Sequence, residues 1–245
     1  MSESPIGIVG YGQMGRFMAQ LLSPWAKVLA YDPAPSRSAH EDGPAELANV
    51  ARVAACPIVF LFPPIPKISQ CCELIRDHLK PGTLVVEGCS VMCHPTREML
   101  RLLPSHVDLV GCHPLFGPQS GASGLQGFKV VLSAVRTERL EVVANLFRRF
   151  ELEVVEMSPE QHDKAMARTQ ALEQLLGRTL MKLGVGPEPI DVPGYRKLVE
   201  VKQMLEHDSE ELFLAVHQHN PFAADVRKHL QLALADLMRQ LESRP

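Results

Sequence analysis

The sequence predicts an α/β protein: a mostly parallel sheet in the N-terminal part, followed by an all-helical C-terminal domain. Three observations carry this. Short apolar runs alternate with amphipathic stretches over the first 157 residues. A glycine-rich turn joins the first apolar run to the first amphipathic stretch. Strand signal then fades, and the remaining chain reads as helices only. Strands separated by helices need right-handed crossovers and so pair in parallel.

The apolar runs 6–9, 27–31, 58–62, 83–87 and 108–112 each read as buried strands. Helices are expected over 13–22, 45–50, 68–79 and 96–102 between them. Punctuation agrees: Pro63-Pro64 closes one strand and Pro81-Gly82 precedes another. Residues 128–133 and 153–156 predict two further strands, joined by a helix over 138–150. Ser158-Pro159-Glu160 is a helix start, with serine at the cap and proline at the first helical position. The helix it opens runs to Leu183, where Gly184 and Gly186 end it, and three more follow over 195–206, 209–218 and 221–242. The expected domains are therefore 1–157 and 158–245. The second has roughly 85 residues, thin for an independent core, so its apolar faces point to a homodimer.

Composition narrows the function. Among 245 residues, 25 Lys+Arg oppose 28 Asp+Glu, a net charge of −3, with 46% hydrophobic and 22% charged residues. This balance excludes a disordered tail and a basic nucleic-acid binder. The N-terminus has no basic stretch followed by an apolar one, and the most apolar run is too short to span a bilayer. The expectation is a cytoplasmic protein with no membrane or nucleic-acid partner. Its cysteines, Cys56, Cys71, Cys72, Cys89, Cys93 and Cys112, form no CxxC pair. Cys93-His94 and Cys112-His113 lack the short paired spacing of a zinc site, so reduced, mostly buried thiols and no metal are expected.

The turn Gly10-Tyr11-Gly12-Gln13-Met14-Gly15 is a GxGxxG between a strand and a helix. Its glycines serve the tight turn, the approach of a pyrophosphate, and close helix–strand packing. The helix N-terminus supplies N–H groups for phosphate charge. Asp32 ends the second strand 22 positions after Gly10, where a carboxylate holds the adenine ribose hydroxyls and repels a 2′-phosphate. The first domain is therefore expected to be Rossmann-type and to bind NAD through Gly10, Tyr11, Gly12, Gln13, Met14, Gly15, Asp32 and Pro63. Ser36 and Arg37 keep NADP as the lesser reading.

Two segments fall at the carboxyl ends of predicted strands: Glu87-Gly88-Cys89-Ser90 and Gly111-Cys112-His113-Pro114-Leu115-Phe116-Gly117-Pro118. Beside a nicotinamide site, a histidine suits proton abstraction from an alcohol, and Ser90 can orient both the imidazole and the substrate. A Ser/His hydrolase fits poorly, because no GxSxG surrounds Ser90.

The Cys89-Ser90-Val91 segment, the HPLFGP run at His113 and the Glu160-Gln161-His162-Asp163 run resemble the prephenate/arogenate dehydrogenase family of tyrosine biosynthesis. Residues 167–184, 190–195 and 212–221 are similar to plant-type arogenate dehydrogenases. The resemblance implies NAD-dependent oxidative decarboxylation of a cyclohexadienol: prephenate to 4-hydroxyphenylpyruvate, or arogenate to tyrosine. It implies that His113 deprotonates the 4-hydroxyl, that Ser90 orients it, and that the helical domain dimerises. Three positions depart from the family's pattern. Gln119 stands where many members carry an acid, Gln174 where many carry a helix histidine, and Met204 where several prephenate-specific members place an arginine. Gln119 and Gln174 remain candidate substrate contacts with Ser90 and His113. Arg168, Arg178, Arg196, Lys197 and Lys202 are candidate cations for a dianionic substrate.

Three alternatives remain: an aminated substrate such as 4-amino-4-deoxyprephenate, a β-hydroxyacid dehydrogenase or imine reductase using Lys164 or Lys182, and a non-catalytic dinucleotide sensor.

Overall fold

The structure, a computed structural model, describes residues 4–33, 43–206 and 208–243. The chain divides into two compact units, Met1–His162 and Asp163–Pro245.

Unit one is an eight-stranded sheet with helices on both faces. Its strands are β1 (Ile6–Val9), β2 (Val28–Tyr31), β3 (Glu46–Leu47), β4 (Ile58–Leu61), β5 (Leu84–Glu87), β6 (Asp108–Pro114), β7 (Lys129–Arg136) and β8 (Glu153–Glu156). They run in the order β3-β2-β1-β4-β5-β6-β7-β8, and every pair is parallel except β6 with β7. The helices are α1 (Gln13–Leu22), α2 (Val50–Ala54), α3 (Ile68–Ile75), α4 (Cys93–Leu102) and α5 (Leu140–Arg148). The chain leaves β1 toward β2 and β3, then crosses back to β4. That reversal opens a crevice at the carboxyl ends of β1 and β4, where ligands bind in such sheets.

The sheet is apolar on both faces, as parallel strands covered by helices require. Phe60, Val86, Val110 and Leu132 point into one layer with Ile8, Met18, Leu22 and Phe147. Val59, Leu61, Val85 and Leu109 point into the other with Ile68, Ile75 and Met99. Backbone approaches are close enough to demand glycine: a Cβ on Gly7 would lie 2.4 Å from the Val53 carbonyl oxygen, and one on Gly15 would lie 2.0 Å from that of Gly10.

One expected helix is corrected. Residues 45–50 do not form a helix; Glu46–Leu47 pairs with β2 as the edge strand β3, and α2 begins only at Val50. Asn49 is the reason. Its side chain accepts a hydrogen bond from the Arg52 N–H, so it caps the helix instead of lying within it.

A helix begins at α6 (Pro159–Met166), widens into a π-helical segment at Ala167–Ala171, and continues as α7 (Leu172–Lys182). The sequence predicted the helix but not the π segment. Unit two carries the rest, with α8 (Pro193–Leu205), α9 (Glu210–His219) and α10 (Ala223–Glu242). Gly177 on α7 meets Leu205 on α8 so closely that a Cβ would lie 2.2 Å from Leu205 Cδ1. Buried Asn220 donates to the Asp163 carbonyl and accepts from the Phe222 N–H, pinning the α9–α10 corner. The far half of α10 leaves Leu232, Leu234, Leu237, Met238 and Leu241 exposed. Among the described residues, no helix is long and apolar enough to cross a membrane.

Gly15→Ala is expected to cost about 1–3 kcal/mol through its backbone clash. Gly12, whose surroundings are open and which caps α1, should accept Gly12→Ser with a change under about 0.5 kcal/mol. Urea denaturation of the two variants checks the contrast.

Candidate active site

The glycine turn is built from three different constraints. Gly10 holds φ +94°, and a Cβ there would lie 2.5 Å from the Phe62 carbonyl oxygen, just before Pro63. Gly12 has nothing within 4 Å of its would-be Cβ, a space a side chain would fill. Gly15 lets α1 sit on β1. No acidic residue lies in the first turn of α1, so its N-terminal partial charge is not neutralised from within. An open glycine at an unneutralised helix start fits a dinucleotide diphosphate. Gln13 and Met14 form the first helical turn there. The Tyr11 N–H donates to Asp32 Oδ2 at 2.7 Å, placing that carboxylate at the turn. Arg16, which sequence reasoning passed over, donates to the Tyr11 carbonyl at 3.1 Å and braces the same turn. Ser36 and Arg37, the residues of the NADP reading, lie outside the described residues.

His113 is the next-to-last residue of β6 and opposes Val131 on β7. Because β1, β4, β5 and β6 are parallel, their carboxyl ends share one sheet edge with the glycine turn. The imidazole is buried, with Nδ1 2.9 Å from Nε2 of fully buried His162. Burial, and secondarily the neighbouring His162, hold His113 well below the ordinary histidine pKa, so the ring is neutral.

Ser90 lies in the loop between β5 and α4 and is half-buried. Glu87, the last residue of β5, is wholly buried and accepts from the Cys89 N–H, which folds that loop. Among the described residues, no hydrogen bond joins Ser90 to His113; the Nδ1 partner of His113 is His162. Cys89 and Cys112 flank the site. Burial first, then the Glu87 charge, push both thiols well up, so they stay protonated and inert.

His162 was named in the sequence only as part of a motif and given no task. The missing signal is helical phase. Gln161 N–H bonds Ser158 Oγ at 3.2 Å, and Ser158 N–H bonds Gln161 Oε1 at 3.0 Å. This reciprocal capping box fixes where α6 starts, and hence which way His162 faces.

Gln119 is exposed, at the start of the short turn Ser120–Ser123. In unit two, Gln174 is buried. Its Nε2 donates to Asp208 Oδ2 at 3.1 Å, while its Oε1 is sealed without a donor. The candidate cations differ in what already holds them. Arg196 makes a two-pronged bond to Asp191, and Lys202 pairs with Glu206 at 2.9 Å. Arg178 donates to the Asp208 carbonyl and stacks over Phe213 at 4.7 Å. Met204 is largely exposed. Lys164 sets its ammonium over the Phe222 ring at 5.2 Å.

Fold and strand-edge site define an α/β protein of the nucleotide-binding kind. Residues 25–156, more than half of the chain, match the model of the prephenate dehydrogenase nucleotide-binding domain, and residues 179–245 match that of the TYRAAT1-like C-terminal domain. The chain belongs to the prephenate dehydrogenase family. Arogenate dehydrogenase 1, chloroplastic, of Arabidopsis thaliana is 30% identical over 262 residues, covering 99% of this chain and 40% of that protein. Arogenate dehydrogenase 2, chloroplastic, of the same plant is 33% identical over 175 residues, covering 69% of this chain and 49% of that protein. The chain thus spans less than half the length of these two relatives. Prephenate dehydrogenase from A. aeolicus, solved with hydroxyphenyl propionate and NAD+, superposes with a TM-score of 0.78 at 20% identity. That alignment covers 99% of this chain and 93% of that one.

Unfolding returns His113 to a pKa near 6.5, so the unfolded chain binds more protons as pH falls below that value. The stability from keeping the ring neutral is full above about pH 6.5 and is lost below it. His217, lowered by burial and then by Arg227, acts with the same sign. Urea midpoints between about pH 7.5 and about pH 5.5 should fall for the natural chain and fall less for His113→Gln. An equal fall would contradict the assignment.

Proposed function

We propose that the chain catalyses NAD-dependent oxidative decarboxylation of a cyclohexadienol, prephenate or arogenate, giving 4-hydroxyphenylpyruvate or tyrosine. The observation that carries this reading is a buried, neutral histidine on the sheet edge that bears the glycine turn. A bound nicotinamide dinucleotide would supply the hydride acceptor. Gly10, Tyr11, Gly12, Gln13, Met14 and Gly15 would hold its diphosphate, with Pro63 beside them. Asp32 would take the ribose hydroxyls and disfavour a 2′-phosphate, which makes NAD the preferred form over NADP.

His113 acts as general base, accepting the proton of the C4 hydroxyl at Nε2, the nitrogen His162 does not occupy. Loss of that proton drives the C4–O bond toward a carbonyl as C4 gives up its hydride. Departure of the C1 carboxylate as CO2 then leaves its electron pair to the aromatic ring. Ser90 hydrogen-bonds the substrate hydroxyl and keeps it facing His113. Gln119 and Gln174 are substrate contacts.

Residues 1–157 form the dinucleotide domain and 158–245 the substrate and dimerisation domain in this proposal. The exposed leucines of α10 support a homodimer, and six free cysteines suit a cytoplasmic setting.

Reduction of NAD+ and NADP+ is to be followed with prephenate and arogenate side by side. Turnover is expected with NAD+ favoured, and His113→Asn should lower kcat about 10²–10⁴-fold with dinucleotide affinity nearly unchanged. Natural turnover by His113→Asn, or none by the natural chain on either substrate, overturns the reading. Sedimentation at micromolar concentration should give a dimer, and Leu237→Glu on α10 should shift it toward monomer. A natural-chain monomer would remove the dimer proposal.

A further inference from the structure

Two imidazole nitrogens in contact share one proton, so one donates and the other accepts. Nδ1 of His113 and Nε2 of His162 stand 2.9 Å apart, with ring centroids 5.1 Å apart at 77°. The rings meet edge-on, so they touch through these nitrogens and do not stack. Two arrangements satisfy the contact. If Nδ1 of His113 carries the proton, it donates to His162 and leaves a lone pair on Nε2 of His113. If His162 donates, the single proton of neutral His113 sits on its Nε2, and that nitrogen cannot be a base.

The surroundings choose between them. Nε2 of His113 has no protein hydrogen bond among the described residues, so a proton there would lack an acceptor from the chain. A proton on Nδ1 has one at 2.9 Å. The Nδ1–H arrangement gives the proton a fixed protein acceptor and leaves the accessible Nε2 its lone pair. His162 is itself held firmly: it is wholly buried, its N–H bonds the Ser158 carbonyl at 3.0 Å, and the Ser158–Gln161 box sets its helix in place.

We propose that His162 is the positioning residue of His113, accepting its Nδ1–H and thereby fixing the tautomer in which Nε2 is the base. The proposal rests on the reading of His113 as general base, and it moves to His162 the orienting part that sequence reasoning gave to Ser90. No proton need leave Nδ1 during the reaction. When Nε2 takes the substrate's proton, the imidazolium keeps its bond to His162 and the ring does not turn.

Imidazole 15N resonances of the full chain, without substrate or dinucleotide, read the tautomer directly. His113 is expected to carry its proton on Nδ1. His162→Leu removes the acceptor, so the proton should shift toward Nε2 and kcat should fall about 10²–10⁴-fold, with dinucleotide affinity unchanged. His162→Gln offers an amide oxygen to the same proton and should restore the Nδ1–H form and most of the turnover. If His162→Leu does not fold, the natural tautomer and His162→Gln still decide. A natural His113 protonated on Nε2 overturns the proposal, as does His162→Leu with unchanged tautomer and kcat. A tautomer shift in His162→Leu, with no turnover by the natural chain on either cyclohexadienol, upholds the positioning and overturns the function instead.

Discussion

A parallel sheet covered on both faces admits almost no polar side chain along its strands, because each residue points into one apolar layer or the other. In this chain β4 and β5 obey that rule closely: Val59, Phe60, Leu61, Leu84, Val85 and Val86 are all sealed. Along β4, β5 and β6 the buried polar side chains stand where strands end. Glu87 is the final residue of β5, and His113 is the next to last of β6. Parallel pairing then puts those ends on one edge with the glycine turn. The site is thus located by the same packing that stabilises the sheet, and the burial that packing imposes keeps the His113 imidazole neutral.

The glycine turn shows the same economy at backbone level. Gly10 and Gly15 are needed because backbone oxygen atoms occupy the space a Cβ would take. Gly12 is different, since its surroundings are open and only a ligand would gain from the missing side chain. Asp32 closes the turn from the neighbouring strand. Its carboxylate receives the Tyr11 N–H, so one charge-assisted bond orders the loop.

All the described strands of unit one but β3 were legible, because apolar runs flanked by Gly and Pro have few other uses in a chain of this composition. His113 was legible for the same reason, being fixed by the end of a strand. The failures share a cause in helical phase. Asn49 looked like part of a helix over 45–50 but caps a later one, so β3 was missed. His162 lay in view, yet its task depends on which face of α6 it occupies, and the Ser158–Gln161 box decides that in three dimensions. The substrate cation was illegible because Arg178, Arg196 and Lys202 differ only in the partners already holding them.

One matched family segment ends at 156 and the other begins at 179. The stretch between them holds His162, the π segment Ala167–Ala171, and the buried oxygens Gln170 Oε1 and Gln174 Oε1, neither of which has a donor. A π turn inserts one residue into a helix and so rotates everything after it by about 100°. Gln174 follows that insertion and is buried. Each sealed amide oxygen without a donor costs about 1–3 kcal/mol. The same helix therefore joins a capped start, which sets His162 against the end of β6, to a widened middle and following turn that carry two buried oxygens without donors.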